Sequence, residues 1–167
     1  RGHTVTLIEK KDRLGGQMLV ASVPSFKIEL KDTIEWFTNQ VRKVGVNVQL
    51  ETEVNGDMVK TLNPDVVIIA TGASPTIPDI PGARGENIFT VEDVMLGKAN
   101  LGKKVVVVGG GFVGSEVSLH LAELGIDVTL VEMLSEIAYN MNTISKKVLL
   151  AKIQEAKVNI LTSTKLK

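Results

Sequence analysis

The stretch KKVVVVGGGFVGSEVSLHLAELGIDVTLVE, residues 103–132, decides the fold of this chain. Its four successive valines predict a strand buried on both faces, as in a parallel sheet. Gly109, Gly111 and Gly114 follow in G-x-G-x-x-G spacing, and the apolar residues after them recur at helical spacing. A second apolar run ends at Glu132. Strand, glycine turn, helix, strand and acid, in this order, predict a βαβ unit.

The three glycines have different roles in such a unit. Gly109 permits a tight turn, Gly111 lets the backbone approach a pyrophosphate, and Gly114 lets the helix lie close to the strand. Glu132 lies 23 positions after Gly109 (132 − 109), near the spacing expected of an acid that binds a ribose 2′-hydroxyl. A glycine-rich turn in an ordinary α/β protein is the alternative, but the complete order of elements favours a dinucleotide site.

Composition limits the other function classes. The 167 residues are enough for one ordinary domain or two small ones. The net charge of zero argues against a nucleic-acid or membrane-surface partner, and no apolar run is long enough to span a bilayer. The absence of cysteine excludes disulfides, thiolate metal sites and thiol catalysis within these residues. We find no signal peptide and expect a cytoplasmic protein.

The sequence also contains an internal repeat. GHTVTLIEK at 2–10 resembles GIDVTLVEM at 125–133, an offset of 123, and VNVQLETEV at 46–54 resembles VNILTSTKL at 158–166, an offset of 112. Two copies of one α/β architecture are therefore predicted, each a Rossmann-like three-layer fold around a parallel sheet. We place one domain at 1–85 and the other at 86–167, with a Pro- and Gly-rich linker at 74–85.

Each copy appears incomplete in the sequence. The strand and glycine turn of the second copy have no equivalent before the first, and the first copy's NPDVVIIATG at 63–72 has no equivalent after the second. We therefore expect a piece of a longer protein. By itself it should bind FAD poorly, show no turnover, and associate into a homo-oligomer through its exposed sheet edges.

Periodicity gives the remaining elements. Predicted strands cover 4–9, 46–52, 66–70 and 158–162, and predicted helices cover 27–44, 56–62, 91–96 and 142–156. The strand at 66–70 is predicted to be buried. The inward-facing residues are predicted to be Leu30, Ile34, Phe37, Val41 and Val44 of the helix at 27–44, Val113, Val117, Leu121 and Leu124 of the main unit, and Ile144, Val148, Leu149 and Ile153 of the last helix.

Two further segments carry a family resemblance. Glu9 is followed by LGGQ at 14–17, and ATG at 70–72 precedes two prolines. With the glycine motif, these segments resemble the two-dinucleotide-binding-domain flavoproteins of the pyridine nucleotide-disulfide oxidoreductase superfamily. GHTVTLIEKKDRLGGQ is most similar to the C-terminal half of the old-yellow-enzyme-like NADH:flavin oxidoreductases, which include 2,4-dienoyl-CoA reductase and 2-enoate reductase.

The resemblance implies two cofactors, FAD in the first copy and NAD(H) in the second. The implied FAD contacts are Glu9, Gly15, Gly16, Gln17, Val54, Thr71 and Gly72, and the implied NAD(H) contacts are Gly109, Gly111, Gly114 and Glu132. FMN and a 4Fe–4S cluster are expected only in a part of the protein N-terminal to this chain. No catalytic acid or base and no metal ligand is assigned.

The implied activity is hydride transfer from NADH to flavin, with electrons passed to a flavin or iron–sulfur centre and on to an enoate or enoyl-CoA-like substrate. Dithiol exchange is not the chemistry of this segment, because it contains no cysteine. NADH is favoured over NADPH because Glu132 would repel a 2′-phosphate, although Lys146 and Lys147 could reach the site. The alternatives are a non-catalytic ADP-binding module, as in trimethylamine dehydrogenase-like proteins, and a peroxide or oxygen reductase.

Overall fold

The computed structural model describes residues 2–167, and these form two compact units, Arg1–Ser74 and Pro75–Lys167. The strands are β1 Thr6–Ile8, β2 Asn47–Gln49, β3 Lys104–Val108, β4 Asp127–Val131 and β5 Asn159–Leu161. The helices are α1 Gln17–Ala21, α2 Glu29–Lys43, α3 Gly56–Leu62, α4 Val91–Met95, α5 Phe112–Glu123 and α6 Thr143–Glu155. A short 3₁₀ turn covers Ser25–Lys27. In the part of the chain that the structure describes, no helix is long and apolar enough to cross a bilayer.

The first unit contains a two-stranded parallel sheet. Thr6 of β1 is opposite Asn47 of β2, and α1 packs against α2. Asn55 caps α3 because its side chain accepts a hydrogen bond from the Met58 N–H, and Asn63 ends that helix in the left-handed conformation. The predicted helix at 56–62 is confirmed to the residue.

The second unit contains a three-stranded parallel sheet in the order β3-β4-β5. The core lies between the central strand β4 and helix α5, where Leu119, Leu121 and Leu130 are almost fully buried. Asn142 caps α6 through its side chain. The predicted α/β class with parallel sheets is confirmed.

The predicted buried strand at 66–70 is wrong. This stretch is not a strand, and its apolar side chains are exposed, with Ile68 at 84%. A strand needs a neighbour for its backbone N–H and C=O groups. In residues 2–167 the only strand paired with β1 is β2, and no strand pairs with 66–70.

Four predicted apolar faces, those of α2, β3, α5 and α6, are only partly buried. Ile34 alone is buried in α2, where Phe37 is 55% exposed, and Ile144 at the start of α6 is 79% exposed. Strand β3 is buried on one side only, since Val106 is 60% exposed. The predicted inward residues that prove exposed are Phe37, Val44, Val106, Val108, Val113, Leu124, Ile144 and Val148. Strand β3 is an edge strand with β4 as its one paired neighbour, while among the described residues α2 packs mainly against α1 and α6 mainly against α5, so part of each apolar stripe is left uncovered.

Hydrogen bonds confirm the internal repeat. Four hydrogen bonds of the first unit have an equivalent in the second. Three are between backbone groups: Glu9 N–H to Gln49 O is matched by Glu132 N–H to Leu161 O, Thr52 N–H to Glu9 O by Thr164 N–H to Glu132 O, and Glu51 N–H to Lys11 O by Ser163 N–H to Leu134 O. The fourth involves the glutamate side chain: Lys11 N–H to Glu9 Oε1 is matched by Leu134 N–H to Glu132 Oε1. The three backbone pairs are related by the offset of 123 on one side and 112 on the other (132 − 9 and 161 − 49), and the side-chain pair by 123 on both sides (134 − 11 and 132 − 9). The two units are therefore built on one local plan.

Candidate functional site

The glycine turn lies where the sequence analysis places it, between β3 and α5. Gly109 has φ +98, a conformation that favours glycine, and its N–H donates to Val131 O at 2.9 Å. A Cβ on Gly114 would lie far inside the van der Waals contact distance of Gly109 O, so helix α5 can approach the strand end only with glycine at this position. The chain itself therefore requires both glycines.

Gly111 differs from its neighbours because nothing in the chain requires glycine there. Its φ is −64, which any residue adopts. A Cβ at this position would meet only Asn140 Oδ1 at 3.8 Å and the Tyr139 ring at 4.0 Å, which are ordinary contacts. The glycine at position 111 is thus explained neither by backbone conformation nor by a contact within the chain.

Glu132 is buried beneath the turn, with only 5% of its surface exposed. Its Oε2 accepts a hydrogen bond from the Gly110 N–H at 2.6 Å, and its Oε1 accepts one from the Leu134 N–H at 2.8 Å. An ionised carboxylate has about four acceptor positions, so each oxygen retains one for a further donor. Glu132 thus fixes the turn, and each of its oxygens has an acceptor position that these two hydrogen bonds do not use.

Gly110 was missed by the sequence analysis, although it lies within the motif. A Cβ here would come within 2.7 Å of Ile137 and 2.9 Å of the Glu132 Cβ, so the residue must be small. The run of three glycines was the available signal, but the spacing rule assigns no role to the middle one.

Asn140 was also missed. It belongs to a segment, Ile137–Asn140, that lies against the turn: the Ala138 N–H donates to Gly110 O at 2.6 Å, and Asn140 Oδ1 accepts from the Phe112 N–H at 3.0 Å. No spacing rule connects residues 28 positions apart in this way, so this contact had no signal in the sequence.

Of the two lysines that the sequence analysis considered for a 2′-phosphate, Lys146 and Lys147, the structure pairs Lys146 with a carboxylate. Its Nζ lies 2.7 Å from Glu136 Oε2, and its side chain is largely buried. The Glu136 carboxylate thus offsets the positive charge of Lys146, which a 2′-phosphate would need as its partner. Met133, directly after Glu132, is exposed and uncharged.

His120 lies in the last turn of α5, at the opposite end from the glycine turn. Burial lowers the pKa of its imidazole below the ordinary value, although Glu123 acts in the opposite direction. The side chain is therefore neutral at pH 7 and offers no positive charge to an anion.

In the first unit, the structure joins two of the predicted segments. Gln17 Nε2 donates to Ala73 O at 2.9 Å, which connects LGGQ at 14–17 to the Thr71–Gly72 turn. Glu9 is half-buried, and its Oε1 accepts from the Lys11 N–H at 2.9 Å. The backbone of Thr52, two residues before Val54, donates to Glu9 O at 3.0 Å.

The two glycines of LGGQ are required for different reasons. Gly15 has φ +122, and a Cβ on it would lie 2.9 Å from both Ile34 and Leu19, so it allows α1 to pack on α2. Gly16 has φ +49 and ψ −129, a combination essentially restricted to glycine, and no atom lies within 4 Å of the position of its missing Cβ. Gly16 therefore leaves open space next to the loop.

Comparison with known proteins shows which family this architecture belongs to. The family described as "Pyridine nucleotide-disulphide oxidoreductase" matches residues 1–167. The chain is 44% identical over 150 residues to an NADH oxidase of Thermoanaerobacter brockii, covering 87% of this chain and 23% of that protein. It is 38% identical over 165 residues to a bilirubin reductase of Mediterraneibacter gnavus, covering 99% of this chain and 26% of that protein.

A solved structure agrees with these sequence matches. A 2-naphthoyl-CoA reductase in complex with 2-naphthoyl-CoA superposes with a TM-score of 0.94 at 30% identity, over 100% of this chain and 25% of that one. The chain thus spans about a quarter of the length of the proteins it matches.

Proposed function

The chain belongs to the pyridine nucleotide-disulphide oxidoreductase family, and on that premise we propose that it is the FAD- and NAD(H)-binding part of a flavin-dependent oxidoreductase. Its relatives by sequence are oxidoreductases, an NADH oxidase and a bilirubin reductase among them. In this proposal NADH is the hydride donor, and electrons leave through a flavin or iron–sulfur centre in another part of the protein.

The observation that carries the proposal is that no contact within the chain explains a glycine at position 111. Gly109 and Gly114 are explained by the fold itself, whereas Gly111 is not. A pyrophosphate that lies against the backbone supplies the missing reason, because a side chain there would block its approach to the N-terminus of α5.

The residues of the second unit have separate roles in NADH binding. Gly111 and the first amides of α5 receive the pyrophosphate, and the dipole of this 12-residue helix favours its charge. Glu132 accepts a ribose hydroxyl with the acceptor positions that the backbone leaves open. The same carboxylate would repel a 2′-phosphate, so we propose that NADH is preferred to NADPH.

The residues of the first unit fit the adenosine and flavin parts of FAD. Glu9 repeats the geometry of Glu132 and would hold the ribose of the adenosine. Gly16 and the Thr71–Gly72 turn would lie along the flavin half, with Gln17 positioned by Ala73 O. The backbone near Val54 would meet the adenine. When bound, the flavin accepts the hydride that the nicotinamide gives up, and the chain's part is to hold and orient the two rings.

Cysteine chemistry is not part of this proposal, because the chain contains no cysteine. In this proposal no dithiol within these residues takes electrons from the flavin. We propose FMN and a 4Fe–4S cluster elsewhere in the protein as the path by which electrons leave the flavin, and an enoate or enoyl-CoA-like compound as the final acceptor. The structural neighbour is in complex with 2-naphthoyl-CoA, which is also a coenzyme A thioester, although of an aromatic acid.

The proposal is tested by adding NADH without oxygen to the purified whole protein with FAD bound. We expect NADH to bleach the flavin absorbance, and kcat/KM to be higher with NADH than with NADPH. A flavin that stays oxidised while ADP binds to the second unit would instead support the non-catalytic nucleotide-binding module. Equal or better use of NADPH would overturn the proposed role of Glu132 in coenzyme choice.

Gly111→Ala should separate binding from folding. The fold has room for the methyl group, so we expect stability to be unchanged or to rise by up to about 1 kcal/mol. NADH affinity should fall at least about tenfold, because the methyl group occupies the position of the pyrophosphate. Equilibrium binding and urea unfolding measure the two effects.

Gly102→Ala is the matched control for that variant. Gly102 lies in the same unit, has no atom within 4 Å of the position of a Cβ, and does not adopt a positive φ. It should leave NADH affinity unchanged and alter stability no more than Gly111→Ala does. An unchanged NADH affinity in Gly111→Ala would contradict the placement of the pyrophosphate.

A further inference from the structure

The Asn140 side chain occupies a backbone donor that the proposed ligand needs. Phe112 is the first residue of α5, and its N–H has no acceptor within the helix at this position. Asn140 Oδ1 accepts that N–H at 3.0 Å. Amides at this end of the helix are the donors that receive a pyrophosphate in a glycine turn of this type. Asn140 therefore holds an oxygen where a phosphate oxygen would bind.

The backbone next to Asn140 holds it in this place. Ile137 is buried against Gly110, and the Ala138 N–H donates to Gly110 O at 2.6 Å. Ala138 is fully buried and adopts φ +53, which is uncommon for a residue with a Cβ and persists only where the surroundings impose it. Asn140 itself is exposed. The segment is therefore fixed at Ile137 and Ala138, while the Asn140 side chain can rotate into solvent.

The internal repeat gives an independent sign that this position matters. The offset of 123 relates Gly15 to Ala138, and both have positive φ. The same offset relates Gln17 to Asn140 (140 − 17). Gln17 also carries a carboxamide, and it too reaches out of its own loop, to Ala73 O. Both copies thus place an amide side chain eight residues after the glutamate that ends the strand.

We infer that Asn140 sets the affinity of the second unit for its dinucleotide by competing with the pyrophosphate for the N-terminus of α5; this rests on the proposed function. A phosphate oxygen is a stronger, charge-assisted acceptor than a neutral amide oxygen, so the exchange is favourable. The hydrogen bond to Asn140 must be broken before the pyrophosphate binds. The free energy of binding is therefore less favourable by the free energy of that hydrogen bond. Without the ligand, the same bond caps α5 and stabilises the turn.

The experiment measures Kd for ADP-ribose, which has the pyrophosphate but no redox chemistry, and for adenosine, which has no phosphate. Asn140→Ala should bind ADP-ribose roughly fivefold more tightly and unfold at a lower temperature, because one neutral hydrogen bond is lost. Asn140→Asp should bind it roughly tenfold more weakly and unfold at a higher temperature, because a carboxylate caps a helix better and repels the ligand. Neither variant should change the Kd for adenosine.

Asn142→Ala is the matched control, since Asn142 caps α6 rather than α5. It should lower the unfolding temperature and leave both Kd values unchanged. If affinity for ADP-ribose falls or stays the same in Asn140→Ala, or if both Asn140 variants lose stability and affinity together, the competition is refuted and the proposed function stands. If the unaltered protein does not bind ADP-ribose, the proposed function fails and this inference fails with it.

Discussion

Gly114→Val should destroy the nucleotide site of the second unit by separating helix α5 from the sheet. Any Cβ at this position collides with Gly109 O, a backbone atom that cannot rotate away as a side chain would. Valine adds two further methyl groups in the same space. The helix must then move off the strand end, and the buried leucines between α5 and β4 lose their packing. We expect a loss of about 3 kcal/mol or more in the free energy of unfolding.

The comparison that makes this result specific is Gly102→Val. It introduces the same side chain in the same unit, at a position with open space, and should change stability by no more than about 0.5 kcal/mol. Urea unfolding followed by circular dichroism measures both variants, and NADH binding should be lost only in the Gly114 variant. If Gly114→Val unfolded at the same urea concentration as the unaltered protein, the close approach of α5 to β3 would be refuted.

The features that were predictable from the sequence are those that depend on neighbours along the chain. The G-x-G-x-x-G spacing identified the turn at Gly109–Gly114 because a tight turn and a close helix impose local requirements on each position. The helix at 56–62 was predictable because Asn55 and Asn63 are local start and stop signals. The repeat was visible because matched segments preserve the same hydrogen bonds.

The features that were not predictable from the sequence depend on which element, if any, packs against the apolar face of a strand or helix. The valines and isoleucines at 66–69 have the composition of a buried strand, but composition does not say which strand lies beside them. Phe37 and Ile144 fit an apolar stripe by spacing, yet a stripe is buried only where a second layer exists. The contact between Asn140 and Phe112 was invisible for a related reason, because it joins distant parts of the chain by a single side chain.

Replacing Glu132 should cost both stability and NADH affinity, because one carboxylate has two tasks. Each of its oxygens accepts a backbone N–H in a buried setting. In Glu132→Gln one oxygen becomes an NH₂ group, which faces a backbone donor and cannot accept from it. The free energy of unfolding should fall by about 2 kcal/mol. NADH affinity should fall at least about tenfold, since the turn loses its support and the ribose loses its acceptor.

The internal repeat supplies the control, since Glu9 ends its strand in the same way. Its Oε1 accepts the Lys11 N–H, but Glu9 is less buried than Glu132. Glu9→Gln should therefore cost about 1 kcal/mol or less and leave NADH affinity unchanged, while FAD affinity falls. Urea unfolding and separate titrations with NADH and FAD distinguish these effects. Each glutamate belongs to the strand end of its own unit. If Glu132→Gln and Glu9→Gln lowered the affinity for the same cofactor, the assignment of one dinucleotide to each copy would therefore be wrong.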